Sequence, residues 1–280
     1  MAADACIAIH GLTFTYAGET RPALRDVTLE VRRGELLGIA GANGSGKTTL
    51  ALTINGVVPR MLGGQRDGLV RVEGRDPAAT AVGEMAALVG MVFDAPELQL
   101  SQATVADEVA LGLESLGVAW AEMDERVRSA LAAVGLAGLE DRAPASLSGG
   151  EQQRLAIACV VAQRPAILVL DEPLANLDAT GRAAVLDIVR RLHREEQVTV
   201  VLIEHDAEVL AEHADRVVVL DDGTVARDGP PAAVLGDVRA LRRLGVAAPP
   251  IAELVAELDP GEPAPPVTLD GALTWLAARR

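Results

Sequence analysis

Apolar residues in this chain begin in short interrupted runs and later become continuous, and the change of rhythm marks a change of architecture. Residues 7 to 39 give short strands broken by turn signals at Ala17-Gly18, Arg21-Pro22 and Arg33-Gly34, as in an antiparallel edge subdomain. The unbroken run Leu36-Leu37-Gly38-Ile39-Ala40 reads as a strand that delivers a glycine-rich turn into a helix starting near Lys47 and continuing from Thr49 to Asn55. Gly56 to Gly68, with Pro59, Gly63 and Gly64, reads as loop before a strand from Leu69 to Glu73. Between residues 97 and 145, helical patterns such as Met123 to Ala133 alternate with glycine breaks. A further apolar helix carries Leu155, Ala158, Cys159 and Ala162 at i, i+3, i+4 and i+7. Strands return at 167–170, 198–203 and 216–220, and their alternation with helices argues an α/β fold with a parallel sheet covered on both faces.

After Gly229 the pattern changes again. Ala248-Pro249-Pro250 and the run from Asp259 to Pro266 interrupt two short helical patterns, the last with Leu269, Leu273 and Leu276 at i, i+4 and i+7. A stripe this short is not stable alone, so it must pack on its own domain or on a partner. The division expected is one domain over residues 6–230 and a small helical appendage over 231–280.

Composition narrows the functional classes. The chain has 280 residues, 50% of them hydrophobic, enough for a substantial core. No apolar stretch approaches the roughly 18 residues of a membrane span, and no basic segment precedes an apolar one at the N-terminus. A cytosolic chain, or one peripheral on the cytoplasmic face of a membrane, is expected. Cys6 and Cys159 form no metal-like pair and imply no disulfide framework; a buried free thiol is the expectation for Cys159. The net charge of −15, from 25 basic and 40 acidic residues, repels a polyanion and argues against nucleic acid as a partner.

One motif survives that field because its donors act at contact range. Gly41-Ala42-Asn43-Gly44-Ser45-Gly46-Lys47-Thr48 fits G-x-x-x-x-G-K-[ST] at every defined position. Backbone N–H groups of such a turn point at phosphate oxygens, the helix N-terminus adds positive potential, Lys47 neutralises the terminal phosphates and the Thr48 hydroxyl can ligate Mg²⁺. This is a nucleoside triphosphate site. Further on, Leu147-Ser148-Gly149-Gly150-Glu151-Gln152-Gln153-Arg154 opens the apolar helix, and Ile167-Leu168-Val169-Leu170 runs into Asp171-Glu172-Pro173. Asp171, at a strand's carboxyl end, can hold Mg²⁺ through water, while Glu172 can accept a proton from attacking water.

In order and spacing these motifs resemble the ATP-binding cassette of transporter ATPases, over roughly residues 6 to 230. The resemblance implies a P-loop NTPase fold with a RecA-like parallel-sheet core, an antiparallel β subdomain, a helical subdomain inserted at about 97–145, and the C-terminal helical appendage. It implies ATP and Mg²⁺ as cofactors, Gly41 to Thr49 as the nucleotide cradle, and Leu174-Ala175-Asn176-Leu177-Asp178 as the D-loop. Ser148, Gly149 and Gly150 would close on the γ-phosphate held by a second cassette, so that hydrolysis requires a homo- or heterodimer. His205, at the end of the 198–203 strand, would orient the γ-phosphate and the water beside the general base Glu172. His10, His193 and His213 have no motif around them and read as packed or surface residues. Tyr16 would stack on adenine; the other reading is that it only ends an edge strand.

The chain departs from that pattern in the Gly90 to Leu100 loop, where Asp94 stands in the place of a metal-reaching glutamine. Asp94 is expected in the metal shell with an altered metal preference. Glu151 stands where glutamine is commoner. The stretches Asn55 to Pro59, Gly74-Arg75-Asp76, Met91 to Leu100 and Thr104 to Glu114 are similar to the ATPases of energy-coupling factor importers, which take up vitamins and transition-metal ions. That resemblance implies a transmembrane energy-coupling subunit in the groove around the Q-loop and a separate membrane protein that captures substrate. A conventional importer ATPase and a soluble non-transport cassette ATPase are the alternatives; a single cassette without sustained heptads favours import.

Overall fold

On β2 (Leu24–Arg32), Leu24, Val27, Leu29 and Val31 are buried while Asp26, Thr28 and Arg32 are exposed, the period-two pattern of a sheet with one covered face. It pairs antiparallel with β1 (Ala5–Thr15), whose other edge pairs antiparallel with β4 (Gln65–Val72). The computed structural model describes residues 4–95, 98–259, 261–262 and 265–279. Pro96 and Glu97 of the 90–100 loop, Glu97 being also the expected start of the helical insertion, lie outside the described residues. So do Pro260, Pro263 and Ala264 of the proline-rich break and Arg280 at the expected end of the appendage.

The chain forms two compact units, residues 1–78 with 201–280, and residues 79–200. In the first, β3 (Leu36–Gly41) is buried at every residue and leads into α1 (Lys47–Ile54). A four-residue helix, α2 (Val57–Arg60), follows. The stretch expected to be loop up to Gly68 is therefore partly structured: α2 lies within it and β4 starts at Gln65. The cause is the length of β1, whose Thr13, Phe14 and Thr15 pair with Asp67, Arg66 and Gln65.

The second unit holds α3 (Val82–Ala86), β5 (Val89–Val92), α4 (Val105–Ser115), α5 (Trp120–Ala133), a 3₁₀ turn at Pro144–Ser146, α6 (Gly149–Val161), β6 (Ile167–Asp171), α7 (Ala179–Arg194) and the first residues of β7 (Thr199–Ile203). Its strand order is β5-β6-β7, with β5 and β6 parallel. Helix α4 starts at Thr104, whose Oγ1 accepts from Asp107 N–H at 3.1 Å. It buries Val105, Val109 and Leu113 and packs on α5 and α6. Helices α4 and α5 fall within the stretch, about 97–145, where the sequence reading places the helical insertion.

The end of β7 returns to the first unit, followed by α8 (Ala207–His213), β8 (Arg216–Asp221), β9 (Thr224–Gly229), α9 (Pro231–Leu235), α10 (Val238–Arg243), α11 (Pro250–Leu258) and α12 (Leu269–Ala277). Here the order is β7-β3-β8-β9; β3 and β8 are parallel, whereas β8 and β9 are antiparallel. The sheet is thus not parallel throughout, because the tight Asp222-Gly223 turn can only join antiparallel strands. Strands β3, β6 and β7 are buried along their whole length, and each fully buried Val, Leu or Ile contributes about 1.5–3 kcal/mol.

Candidate functional site

Strand β3 ends at Gly41, where a Cβ would stand 2.5 Å from the Leu220 carbonyl and 2.5 Å from Ser45 Oγ, so no larger residue fits. Gly46, at φ 102°, precedes the first turn of α1; a Cβ there would fall 2.7 Å from the Ala23 carbonyl. Asn43 and Gly44 between them are exposed, as is Thr48 beyond them, and Lys47 is buried with Nζ donating to the carbonyls of Gly41 at 2.9 Å and Ala42 at 3.1 Å. No side chain caps α1 and no carboxylate lies in its first turn, which leaves its N-terminal dipole open to an anion. Ser45 Oγ is buried and has no hydrogen-bond partner among the described residues. A buried hydroxyl requires one, and a phosphate oxygen is the acceptor this chemistry suits.

Tyr16 lies one residue past β1, half-buried, its ring edge-to-face with Phe14 at 4.9 Å. Its Oη is 3.1 Å from Thr49 Oγ1. The structure thus ties Tyr16 to the phosphate-loop helix, a link no local sequence signal announces. His205 is exposed, one residue beyond Glu204, whose N–H donates to the Ile39 carbonyl at 3.1 Å. It therefore leaves the sheet beside the strand that feeds the phosphate loop.

The remaining candidates belong to the second unit. Asp171 ends β6 and is buried; Glu172, half-buried, has φ 51°, an uncommon left-handed conformation for a non-glycine residue. The turn it begins is closed by Ala175 N–H donating to the Glu172 carbonyl at 3.1 Å. It leads to Asp178, whose Oδ1 accepts from Gly181 N–H at 2.7 Å and caps α7. Ser148 caps α6 in a reciprocal box: Glu151 N–H donates to Ser148 Oγ at 3.4 Å, and Ser148 N–H and Oγ–H donate to Glu151 Oε2, each at 2.8 Å. These bonds, the backbone one first, hold the Glu151 carboxyl below its ordinary range. Gly149 faces open space, while Gly150 lies against Leu177 and Gly181, so the start of α6 and the D-loop sit together. Asp94 is exposed at a bend after β5.

Two polar residues to which the sequence reading gives no role of their own are buried here. Gln153 Nε2 has no partner among the described residues. The Glu108 carboxylate accepts from the N–H groups of Ser101 and Gln102, both at 2.6 Å, and fixes the turn after the 90–100 loop. Cys159 is half-buried rather than buried as expected; desolvation of its sulfur, with Glu108 as the second cause, still pushes the thiol up and leaves it inert.

A glycine-rich strand-to-helix turn, a lysine folded into it and a buried strand ending in Asp-Glu define a P-loop nucleoside triphosphatase. The family model for ABC transporters matches residues 24–175. The chain is 44% identical over 243 residues, 87% of its length and 85% of the relative's, to the energy-coupling factor transporter ATP-binding protein EcfA1 of Lacticaseibacillus paracasei. It is similar in structure to cbiO1 from Clostridium perfringens, part of the ABC transporter complex cbiONQ, with TM-score 0.76, 29% identity and coverage of 90% of this chain and 99% of that one. It is also similar to the cassette MJ0796, solved as a dimer in a post-hydrolysis state with ADP and Pi, with TM-score 0.70, 27% identity and coverage of 80% and 98%. The chain belongs to the ABC transporter family and is its ATP-binding, ATP-hydrolysing component.

Proposed function

We propose that this chain powers an importer of the energy-coupling factor type, carrying a vitamin or a transition-metal ion. The observation that carries the class is the likeness to EcfA1 and cbiO1 along nearly the whole chain. In this reading Gly41 to Thr49 cradle the triphosphate, Tyr16 stacks on adenine, Glu172 removes the proton of the attacking water, and His205 orients the γ-phosphate and that water. Mg²⁺ suits the donors available, the Thr48 hydroxyl and the carboxylates of Asp171 and Asp94, which are all hard oxygens; bound there, it would neutralise phosphate charge. Ser148, Gly149 and Gly150 serve the nucleotide of a second cassette, a role that the exposed surface at Gly149 supports and the dimeric MJ0796 parallels.

Among the described residues no helix is long and apolar enough to cross a membrane. The partners proposed from the likeness to energy-coupling factor ATPases are a transmembrane coupling subunit, met through the groove of the 90–100 loop, and a separate substrate-capture protein, with this chain peripheral on the cytoplasmic face. Exposed Leu98, Leu111 and Trp120 in the second unit offer the apolar contacts such docking needs. The test is purification of the tagged chain from detergent-solubilised membranes, followed by ATP-driven uptake in proteoliposomes. Uptake that depends on a small capture protein supports this reading. Dependence on a soluble binding protein instead makes it a conventional importer, and absence of any polytopic membrane partner contradicts import.

A further inference from the structure

Within the first unit, the turn between β8 and β9 reaches back to the phosphate loop. Gly223 N–H donates to the Ser45 carbonyl at 3.0 Å. A peptide unit is planar and trans, so its N–H points opposite to its C=O. The bond that draws the Ser45 carbonyl toward the turn therefore directs the Gly46 N–H away from it, as a donor to phosphate requires. Space at this junction is full. A Cβ on Gly223, at φ 78°, would fall 2.7 Å from the Ala23 carbonyl oxygen and 3.2 Å from Leu24 Cα, and one on Gly46 would meet the same oxygen at 2.7 Å. These obstacles are backbone and cannot swing aside as a flexible side chain can. The start of β2 holds the turn from its other side. Arg25 N–H donates to the Gly223 carbonyl at 2.7 Å and Arg25 Nε to the Asp222 carbonyl at 2.9 Å, while the guanidinium groups of Arg21 and Arg25 both pair with the Asp222 carboxylate.

We propose that Asp222 and Gly223 are positioning residues for the nucleotide: the turn they form, gripped by Arg21 and Arg25, orients the Ser45–Gly46 peptide and so sets the phosphate affinity of its own chain. Both act through Ser45 and not by contact with the ligand. A single exposed ion pair contributes little, but here two guanidinium groups and a bond to a backbone carbonyl converge on one residue. The sign of the effect separates positioning from plain electrostatics. Neutralising Asp222 takes an anion away from the site of a polyanion, which by Coulomb attraction alone tightens binding; loss of orientation weakens it. This rests on reading Gly41 to Thr48 as the phosphate cradle.

The test is calorimetric titration of the full chain with ADP and with pyrophosphate, comparing Gly223→Ala with Gly74→Ala. Gly74 has nearly the same φ, 75°, but nothing within 4 Å of its Cβ position. Both variants thus carry the left-handed strain, and only Gly223→Ala must move backbone beside the loop. The Kd for each ligand rises about tenfold in Gly223→Ala and stays within about twofold in Gly74→Ala. Asp222→Asn, nearly isosteric and exposed, weakens both ligands about threefold and has almost no effect in a chain already carrying Arg21→Ala and Arg25→Ala. It also decides the matter should Gly223→Ala not fold. Equal shifts at 223 and 74, unchanged or tighter binding in Asp222→Asn, or an undiminished loss without the two arginines overturns the proposal. Lys47→Ala that binds both ligands as the wild type does overturns the cradle reading beneath it.

Discussion

Glu172 is the residue proposed above as the general base, and its backbone is held in an uncommon left-handed conformation. A non-glycine residue at φ 51° stores on the order of 1 kcal/mol or more, which the surrounding turn must offset. With Glu172 as the general base, Glu172→Gln keeps ATP binding and lowers turnover by about 10² to 10⁴; steady-state hydrolysis at the wild-type rate would remove the assignment. Tyr16 separates stacking from hydrogen bonding. Tyr16→Ala weakens ATP binding, whereas Tyr16→Phe loses only the bond to Thr49 and keeps most of the affinity, as equilibrium titration of both would show. For Asp94, an unchanged Mg²⁺/Mn²⁺ activity profile in Asp94→Gln would count against a metal-shell role. The phosphate loop, Asp171, Glu172 and Ser148 are legible in the sequence because each belongs to a contiguous motif. The Tyr16–Thr49 bond, spanning 33 residues, is not, since it leaves no local pattern; Gln153 stands in a quoted motif, but the motif does not tell that its side chain is buried.

Elements were readable where their period was long and hidden where tertiary pairing made them. The strands β3, β6, β7 and β8 and the helices α1, α5 and α6 follow from runs of apolar residues, whereas β5 is only four residues long and β9 alternates half-buried with exposed residues. Strand β4 begins earlier than its apolar part because β1 offers partners for polar residues. The cap of α6 belongs to this scale: Ser148→Ala costs about 1 kcal/mol of stability. Glu151 has a depressed carboxyl value in the folded chain, so its contribution is present above the ordinary value of 4.5 and lost as pH falls through the folded one. The melting difference between wild type and Glu151→Gln should accordingly shrink in acid. Asp76 behaves in the same way and more strongly. Its hydrogen bonds from Arg66 at 2.8 and 2.9 Å, helped by Ala78 N–H and Arg71, hold it at about 2 against an ordinary 3.8. Asp76→Asn lowers the melting temperature at neutral pH, and the difference closes between pH 3.8 and about 2; a difference independent of pH would contradict the pairing.

For the whole molecule, the open question from sequence was where the C-terminal stripe packs. Leu269, Leu273 and Leu276 are more than half exposed, and so are Leu254 and Leu258 on α11. Two short helices thus leave five leucines exposed, and a second copy of the chain is the partner we propose for them. Deletion beyond residue 246 should abolish nucleotide-free dimers in sedimentation; an unchanged association constant would reject that role. Sequence could not settle the matter, because an amphipathic pattern gives the face of a helix but not what covers it. We propose that ATP is cleaved only by pairs, each chain lending its Ser148–Gly150 turn to the other's phosphate loop. The most direct test is specific ATPase activity against protein concentration, with the dimer fraction measured by sedimentation in the same buffer and nucleotide. Activity per chain that rises in step with the dimer fraction is the predicted result; undiminished activity at dilutions where only monomers sediment would contradict it.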